Sequence, residues 1–194
     1  MMDRLATVTL AGHGVRLEPL AREHIAALQE ASEDGDIGAL NYVNVPTRDG
    51  IAAWVEHALM MRDAGLHLPF AILSDDRVVG TTRYYDIDLS VPTLAIGYTF
   101  HGASVWRSHV NTASKRLLLG HAFDSLGMQS VRFHTSHLNL RSQAAIARLG
   151  ARHEGILRAH MRHKDGSLRD TFTYSILATE WPEIRSRLDQ RLSM

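Results

Sequence analysis

The sequence predicts a mixed α/β fold in a single domain. Three observations carry that expectation. About seven strand-like stretches and several helical ones alternate along the chain. No linker, internal repeat or low-complexity tract separates them. The 194 residues suffice for one core that buries roughly 70% of the unfolded surface, so no disulfide or metal is needed for folding.

In order, Val15 to Leu20 reads as a first strand, with Val15 and Leu17 alternating against Arg16 and Glu18. Arg22 to Ala31 is helical, with Ile25 and Leu28 on one side. Ser32-Glu33-Asp34-Gly35-Asp36 is an acidic break: a solvated loop, or a place where Asp34 or Asp36 attracts an amine. Thr47 is placed to cap a helix from Arg48 to Ala64, with Trp54 as a core anchor. Leu68 to Leu73 and Arg77 to Asp86 form two strands across Ser74-Asp75-Asp76, and Thr93 to Phe100 makes the next. Gly97 in mid-strand points to a bulge or a close backbone approach. Ala151 to Arg162 and Leu168 to Leu177 form a long hairpin turning at Lys164-Asp165-Gly166-Ser167. Trp181-Pro182 opens a last helix to about Leu192.

Composition narrows the function classes. Lys and Arg equal Asp and Glu in number, so nothing marks a nucleic-acid or anionic-membrane footprint. There is no cysteine, which excludes disulfides, thiolate metal sites and a cysteine nucleophile. The N-terminus lacks a signal-peptide apolar region and no apolar run reaches membrane length, so a soluble, cytoplasmic protein is expected. The 12 histidines do not form a metal motif: His134 and His137, and again His160 and His163, are three apart on expected strands and fall on opposite faces. No metal is expected.

The densest signal runs from Trp106 to Gly150. Trp106-Arg107-Ser108-His109-Val110-Asn111-Thr112 leads into a helix ending near Leu126-Gly127, with Asn111 or Thr112 as its cap. Leu118, Ala122, Phe123 and Leu126 make its apolar stripe, and Lys115, Arg116 and Asp124 fall mostly off it. A strand from Val131 to Leu138 follows. Asn139-Leu140-Arg141-Ser142 then opens a second helix, capped by Asn139 and ended by Gly150. Helix N-termini carry unpaired N–H groups and partial positive charge, and a loop wrapped over one can hold a pyrophosphate.

These residues resemble the GNAT acetyltransferase superfamily, in particular the bacterial branch that includes the ribosomal-protein N-terminal acetyltransferases. The resemblance rests on Ile96-Gly97-Tyr98, Trp106, Val110-Asn111-Thr112 with Lys115, Leu117 through Phe123, and Leu126-Gly127. It continues through Asn139-x-x-Ser142, Leu149-Gly150-Ala151, Glu154-Gly155, Asp165-Gly166-x-Leu168-Arg169-Asp170 and Tyr174-Ser175-Ile176. It spans about Val15 to Trp181.

It implies a central, mostly antiparallel twisted sheet of about seven strands, a splayed pair at an acetyl-CoA site, and helices on both faces. It further implies that His109, Val110, Asn111 and Thr112 hold the pyrophosphate by backbone N–H groups and that the pantetheine lies along Gly97. Asn139 and Ser142 would sit near the thioester sulfur, and acetyl would pass directly to an amine without a covalent enzyme intermediate. Departures accompany it. Arg107 and His109 stand where the family loop has glycine, and Ala113 and Ser114 where it has Glu and Ala. Ala95 replaces a common Glu, and Ile146 occupies the place of the Tyr used elsewhere in the superfamily.

Amine acetylation needs a neutral amine, donors for the developing oxyanion and a proton or hydrogen bond for the leaving thiolate. The oxyanion donor is sought on the backbone near Tyr98 or Thr99, and Ser142 beside the thiol. His101, His134, Asp86 and Asp88 are the side-chain candidates for a base, with water as the alternative. Arg107 and Arg141 are placed to meet CoA phosphates. The sequence is therefore read as an acetyl-CoA-dependent N-acetyltransferase acting on a primary amine of a small molecule or protein N-terminus. Homodimerisation is possible through the hairpin and last helix. The rival readings are a non-catalytic acyl-CoA-binding module and a protein-interaction module with a degenerate phosphate loop.

Overall fold

The computed structural model describes residues 5–35, 37–43 and 45–193. Its elements run β1 (Leu10–Gly12), β2 (Val15–Pro19), α1 (Ile25–Glu33), α2 (Ile51–Asp63), β3 (Leu68–Ser74), β4 (Arg77–Asp88) and β5 (Thr93–His101). Then come α3 (Val110–Gly120), β6 (Ser130–Ser136), α4 (Leu140–Leu149), β7 (Arg152–Arg162), β8 (Leu168–Leu177) and α5 (Trp181–Leu192). The strands form one sheet in the order β1-β2-β3-β4-β5-β6-β8-β7. Among the described residues only β5 and β6 are parallel neighbours, as the α3 crossover between them requires. The expectation of a mostly antiparallel mixed sheet is met. The additional strand is β1, which pairs with β2 across His13 and Gly14, both in the left-handed region.

Helices cover both faces because each face of a central strand must be buried. On one side α1 and α2 pack Leu28, Ile51, Val55 and Leu59 against Ala71, Leu73 and Phe100. On the other, α3, α4 and α5 bury Leu118, Leu119, Ile146, Leu149, Trp181 and Ile184 against β2 to β6 and β8. The residues of α3 and of the helical turn His121–Ser125 after it that fall off the apolar stripe divide. Arg116 forms a bidentate pair with Asp189 at 2.6 and 3.1 Å, and Asp124 accepts from the Trp181 indole at 2.8 Å, so both fasten α5. Lys115 instead turns inward and is buried, contrary to the expectation from helical spacing.

Two helix starts differ from the sequence reading. A 3-10 turn at Arg48–Gly50 precedes α2, and the Thr47 side chain makes no capping bond. Neither Asn111 nor Thr112 caps α3. The helix begins at Val110, whose N–H donates to the Ser108 hydroxyl at 3.2 Å. By contrast, Asn139 does cap α4, its side-chain oxygen accepting from Ser142 N–H at 3.0 Å. The β7–β8 turn reaches across to the segment after α1: Asn41 donates to Asp165 at 2.7 Å, and Lys164 donates to the Val45 carbonyl at 2.7 Å. Among the described residues no helix is long and apolar enough to cross a membrane.

Candidate active site

The site begins with a fault in strand pairing. β5 and β6 are paired only from Thr93 to Ala95 against Ser130 to Arg132, and then part. On its other side β5 stays joined to β4, with Arg83 opposite Gly97 and Thr81 opposite Phe100. Thr82 alone therefore faces both Tyr98 and Thr99, which is a β-bulge. Tyr98 takes φ +51° to accommodate it. A bulge releases backbone N–H and C=O groups from the ladder, here where the two strands separate. Gly97 is demanded by packing: a Cβ there would lie 2.7 Å from the Tyr85 ring.

Two helix mouths, those of α3 and α4, follow the parting strands. In α3 the first intrahelical bond is Ala113 N–H to His109 O at 2.8 Å, so the amides of Asn111 and Thr112 open outward unpaired within the helix. Arg107 adopts φ +60°, the conformation glycine would take, while His109 sits at φ −69° and needs none. The loop thus has the turn without the glycines. The Arg141 guanidinium stacks 4.1 Å from the Trp106 ring, linking the two mouths. Gly97, Tyr98, Thr99, Arg107, His109, Val110, Asn111, Thr112, Asn139, Arg141 and Ser142 all belong to this bulge and these mouths.

The two faces of the sheet differ under the bulge. Facing α3, Thr82 and Thr99 hydroxyls share a 2.7 Å hydrogen bond, and Lys115 Nζ donates to Thr99 at 2.8 Å. Burial pulls the Lys115 ammonium down to about 7. Burial, aided by the charges of Lys115 and Arg141, pulls His101 down to about 3, so His101 is neutral. Its Nε2 is enclosed without a partner among the described residues.

On the opposite face, Arg83 lies between two rings, its guanidinium 4.2 Å from the centroids of Trp54 and of Tyr98. Its Nη1 meets His67 Nδ1 at 3.3 Å. Burial, with Arg83 alongside, pulls His67 down to about 4. Tyr85 shares a 2.8 Å hydrogen bond with His134 Nδ1. Burial raises the Tyr85 phenol and lowers the His134 imidazole, so both are neutral at physiological pH.

Some sequence candidates lie elsewhere. Asp88 caps the far turn of the β4–β5 hairpin, accepting from Ser90 and Val91. Asp34 accepts from Ser104 N–H at 2.8 Å and receives Ala103 N–H on its carbonyl, so it fixes the loop after β5 instead of awaiting an amine. Asp36 lies outside the described residues. Ile146 is core. Trp54 does pack on Phe100 as an anchor, but its other role, stacking on Arg83, has no helical periodicity to announce it. Arg83 and His67 escaped sequence reasoning altogether. The available signal was Thr81-Thr82-Arg83, three polar residues inside a central strand that should read apolar. Among the described residues, no group of three or more metal-ligating side chains converges.

A family model described as an acetyltransferase (GNAT) domain matches residues 15–152. The chain belongs to the GNAT acetyltransferase family. A structure from T. thermophilus, described as an acetyltransferase, shares 34% identity over 97% of this chain and 98% of its own, with a TM-score of 0.85. A GCN5-related N-acetyltransferase from Brucella melitensis shares 28% identity over 98% and 87%, with a TM-score of 0.87. Mycobacterium smegmatis RimJ, solved with CoA-disulfide, has the same fold at 21% identity, covering 95% of this chain and 93% of its own, with a TM-score of 0.79. Comparison with curated proteins returns no match.

Proposed function

We propose that this protein is an acetyl-CoA-dependent N-acetyltransferase that acetylates a primary amine directly. The observation that carries the reading is the β5 bulge at Tyr98 and Thr99, set where β5 leaves β6 and beside the open mouths of α3 and α4. Freed backbone groups suit an amide-bearing chain such as pantetheine, and outward amides at Asn111 and Thr112 suit phosphate oxygens. In this assignment His109, Val110, Asn111 and Thr112 present backbone N–H groups to the pyrophosphate, with Arg107 and Arg141 as cationic partners. Gly97, Tyr98 and Thr99 border the pantetheine. Asn139 holds the mouth of α4 in shape so that Ser142 meets the sulfur.

Bound acetyl-CoA supplies the thioester: the amine nitrogen bonds the carbonyl carbon, the C–S bond breaks, the amine loses a proton and the thiolate gains one. A bulge N–H at Tyr98 or Thr99 stabilises the carbonyl oxygen as negative charge grows on it. The Ser142 hydroxyl has no hydrogen-bond partner among the described residues and is free to serve the sulfur. Neutral His134, held by Tyr85, or water behind it accepts the amine proton. His101 is not favoured as this base, because its enclosed Nε2 stands on the Lys115 side beside two cations.

The test is a calorimetric titration with acetyl-CoA, CoA and 3′-dephospho-CoA, followed by CoA release with a panel of amines. Single-site micromolar binding and amine-dependent release are expected. Millimolar acetyl-CoA without binding would return the fold to the interaction-module reading; tight binding without release from any amine would favour the regulatory one.

A further inference from the structure

Three arginines in this fold show how it normally satisfies a guanidinium, and where it does not. Arg22 grips Glu56 and Arg116 grips Asp189 through the same edge, Nε and Nη2, in bidentate pairs of 2.6 to 3.1 Å. That edge is the one whose two parallel N–H bonds match a planar carboxylate. Arg83 presents the same two atoms, Nε and Nη2, to the fold's interior with no hydrogen-bond partner among the described residues. The residue is fully buried, at 0% exposure. Burial draws its guanidinium down to about 10, and only Tyr98 opposes that shift.

Leaving such a group unpaired forfeits the hydration of each unsatisfied donor, and the cost is greater for a charged one. A buried group left this way calls for an explanation, and a ligand at a functional site is one. Arg83 is in the right place for one, since it pairs with Gly97 at the start of the bulge. A second buried guanidinium exerts its charge on the same tyrosines. Arg169 on β8 is 6% exposed, and its buried Nε is also unpartnered among the described residues. Its charge is felt at Tyr85, and it feels Tyr98 in turn. The neighbouring titratable groups are neutral His67, His134 and Tyr85. Asp86 stands exposed at the rim and pairs with neither arginine. Tyr98, 38% exposed, is the outer layer of the Arg83 stack and the ring a ligand must pass.

We propose that the acceptor bears a carboxylate beside its amine, and that Arg83 receives that carboxylate on the α1/α2 face of the bulge, with the charge of Arg169 favouring it from β8. The inference rests on the N-acetyltransferase reading and narrows its substrate class to amino acids and amine-bearing carboxylic acids. Arg83 fixes the carboxylate, Trp54 and Tyr98 fix Arg83, and the amine is left pointing towards Gly97 and Tyr98. The edge can hold a carboxylate or a phosphate through two parallel bonds, and the test below separates them.

The test measures CoA release with matched amines: each amino acid against its α-amide, and phosphoethanolamine against ethanolamine. Wild type, Arg83→Gln and Arg169→Gln are compared, with circular dichroism and acetyl-CoA titration as controls for folding and cofactor binding. The expected result is a preference of at least about tenfold in kcat/KM for the free carboxylate over its amide, as expected when a buried charged donor loses its partner. The preference should be lost in Arg83→Gln if that variant folds, and reduced in Arg169→Gln. Equal use of amides, a preference for phosphoethanolamine over every carboxylate, or a carboxylate preference undiminished in Arg169→Gln and in any folded Arg83→Gln overturns the assignment. In the first two cases the N-acetyltransferase reading stands because amines still turn over. If acetyl-CoA binds no variant and no amine releases CoA, both fall together.

Discussion

Lys115 Nζ donates to Thr99 Oγ1 at 2.8 Å and reaches Thr82 Oγ1 at 3.4 Å, inside the protein and without a carboxylate partner among the described residues. The α3 helix is thereby tied to the bulged strand by a lone buried amine. Its ordinary value of 10.5 falls to about 7 through burial.

Replacing this amine should stabilise the fold in a pH-dependent way. Between pH 7 and 10.5 the unfolded chain holds the Lys115 proton and the folded chain does not, so wild-type stability rises with pH across that window. Lys115→Met removes the cost of burying the amine, which must either stay charged or give up its proton, and loses two hydrogen bonds. It should be more stable than wild type by roughly 1–3 kcal/mol near pH 7, with the gain shrinking towards pH 10. Urea unfolding at several pH values measures this; an unchanging difference would mean that Lys115 holds its proton as tightly in the folded chain as in the unfolded one.

Acid should act through the buried histidines. His67 falls from 6.5 to about 4 and His101 to about 3. As pH drops, the unfolded chain takes up these protons first. Their contribution is intact above about 6.5 and is lost progressively below it. The melting temperature should therefore decline from about pH 6.5 to 4, and His101→Gln should flatten part of that decline, by an amount on the order of 1 kcal/mol at about pH 4.5.

Arg107 carries a left-handed backbone at φ +60°, which costs a non-glycine residue roughly 1–2 kcal/mol. Arg107→Gly should recover part of this and raise the melting temperature by about 2–4 °C. If the arginine side chain also contacts phosphate, acetyl-CoA affinity should fall and become less sensitive to salt. Scanning calorimetry and titration at two salt concentrations separate the two effects.

Gly97→Ala should drive its new Cβ into the Tyr85 ring, 2.7 Å away. The expected cost is about 1–3 kcal/mol of stability. Because Tyr85 holds His134, acetyl transfer should weaken more than acetyl-CoA binding, which kinetics and calorimetry on the same preparation would reveal.

Asn139 and Ser142 should separate shape from chemistry. Asn139→Ala removes the cap on Ser142 N–H and should destabilise α4 by about 1 kcal/mol while loosening acetyl-CoA binding. Ser142→Ala keeps the cap, since Asn139 bonds its backbone, and should slow turnover by about tenfold or more with affinity unchanged. Unaltered kcat in Ser142→Ala would remove serine from the chemistry.

The sequence by itself determined the elements whose causes are local. Asn139 and Gly150 bracket α4 because a side-chain oxygen can satisfy a first-turn N–H and a glycine can turn left-handed at the end, with φ +100°. Lys164-Asp165-Gly166-Ser167 turns the hairpin for the same kind of reason, and Gly97 announced the irregular strand. The family motifs added the sheet's mixed character. Tertiary structure decided what depends on which strand lies beside which. Lys115 looks like a surface residue on a helical wheel, yet the sheet beneath it supplies two threonine hydroxyls and closes over it. Asp34 looks free in an acidic loop, yet Ser104, distant in sequence, takes its carboxylate. Arg83 and Tyr98 face each other only because β4 and β5 pair with one residue out of step, which turns Tyr98 onto the arginine's side. A spacing rule reads contacts within one helix or strand; burial and charge at this site arise between elements, and only the packed fold brings those side chains together.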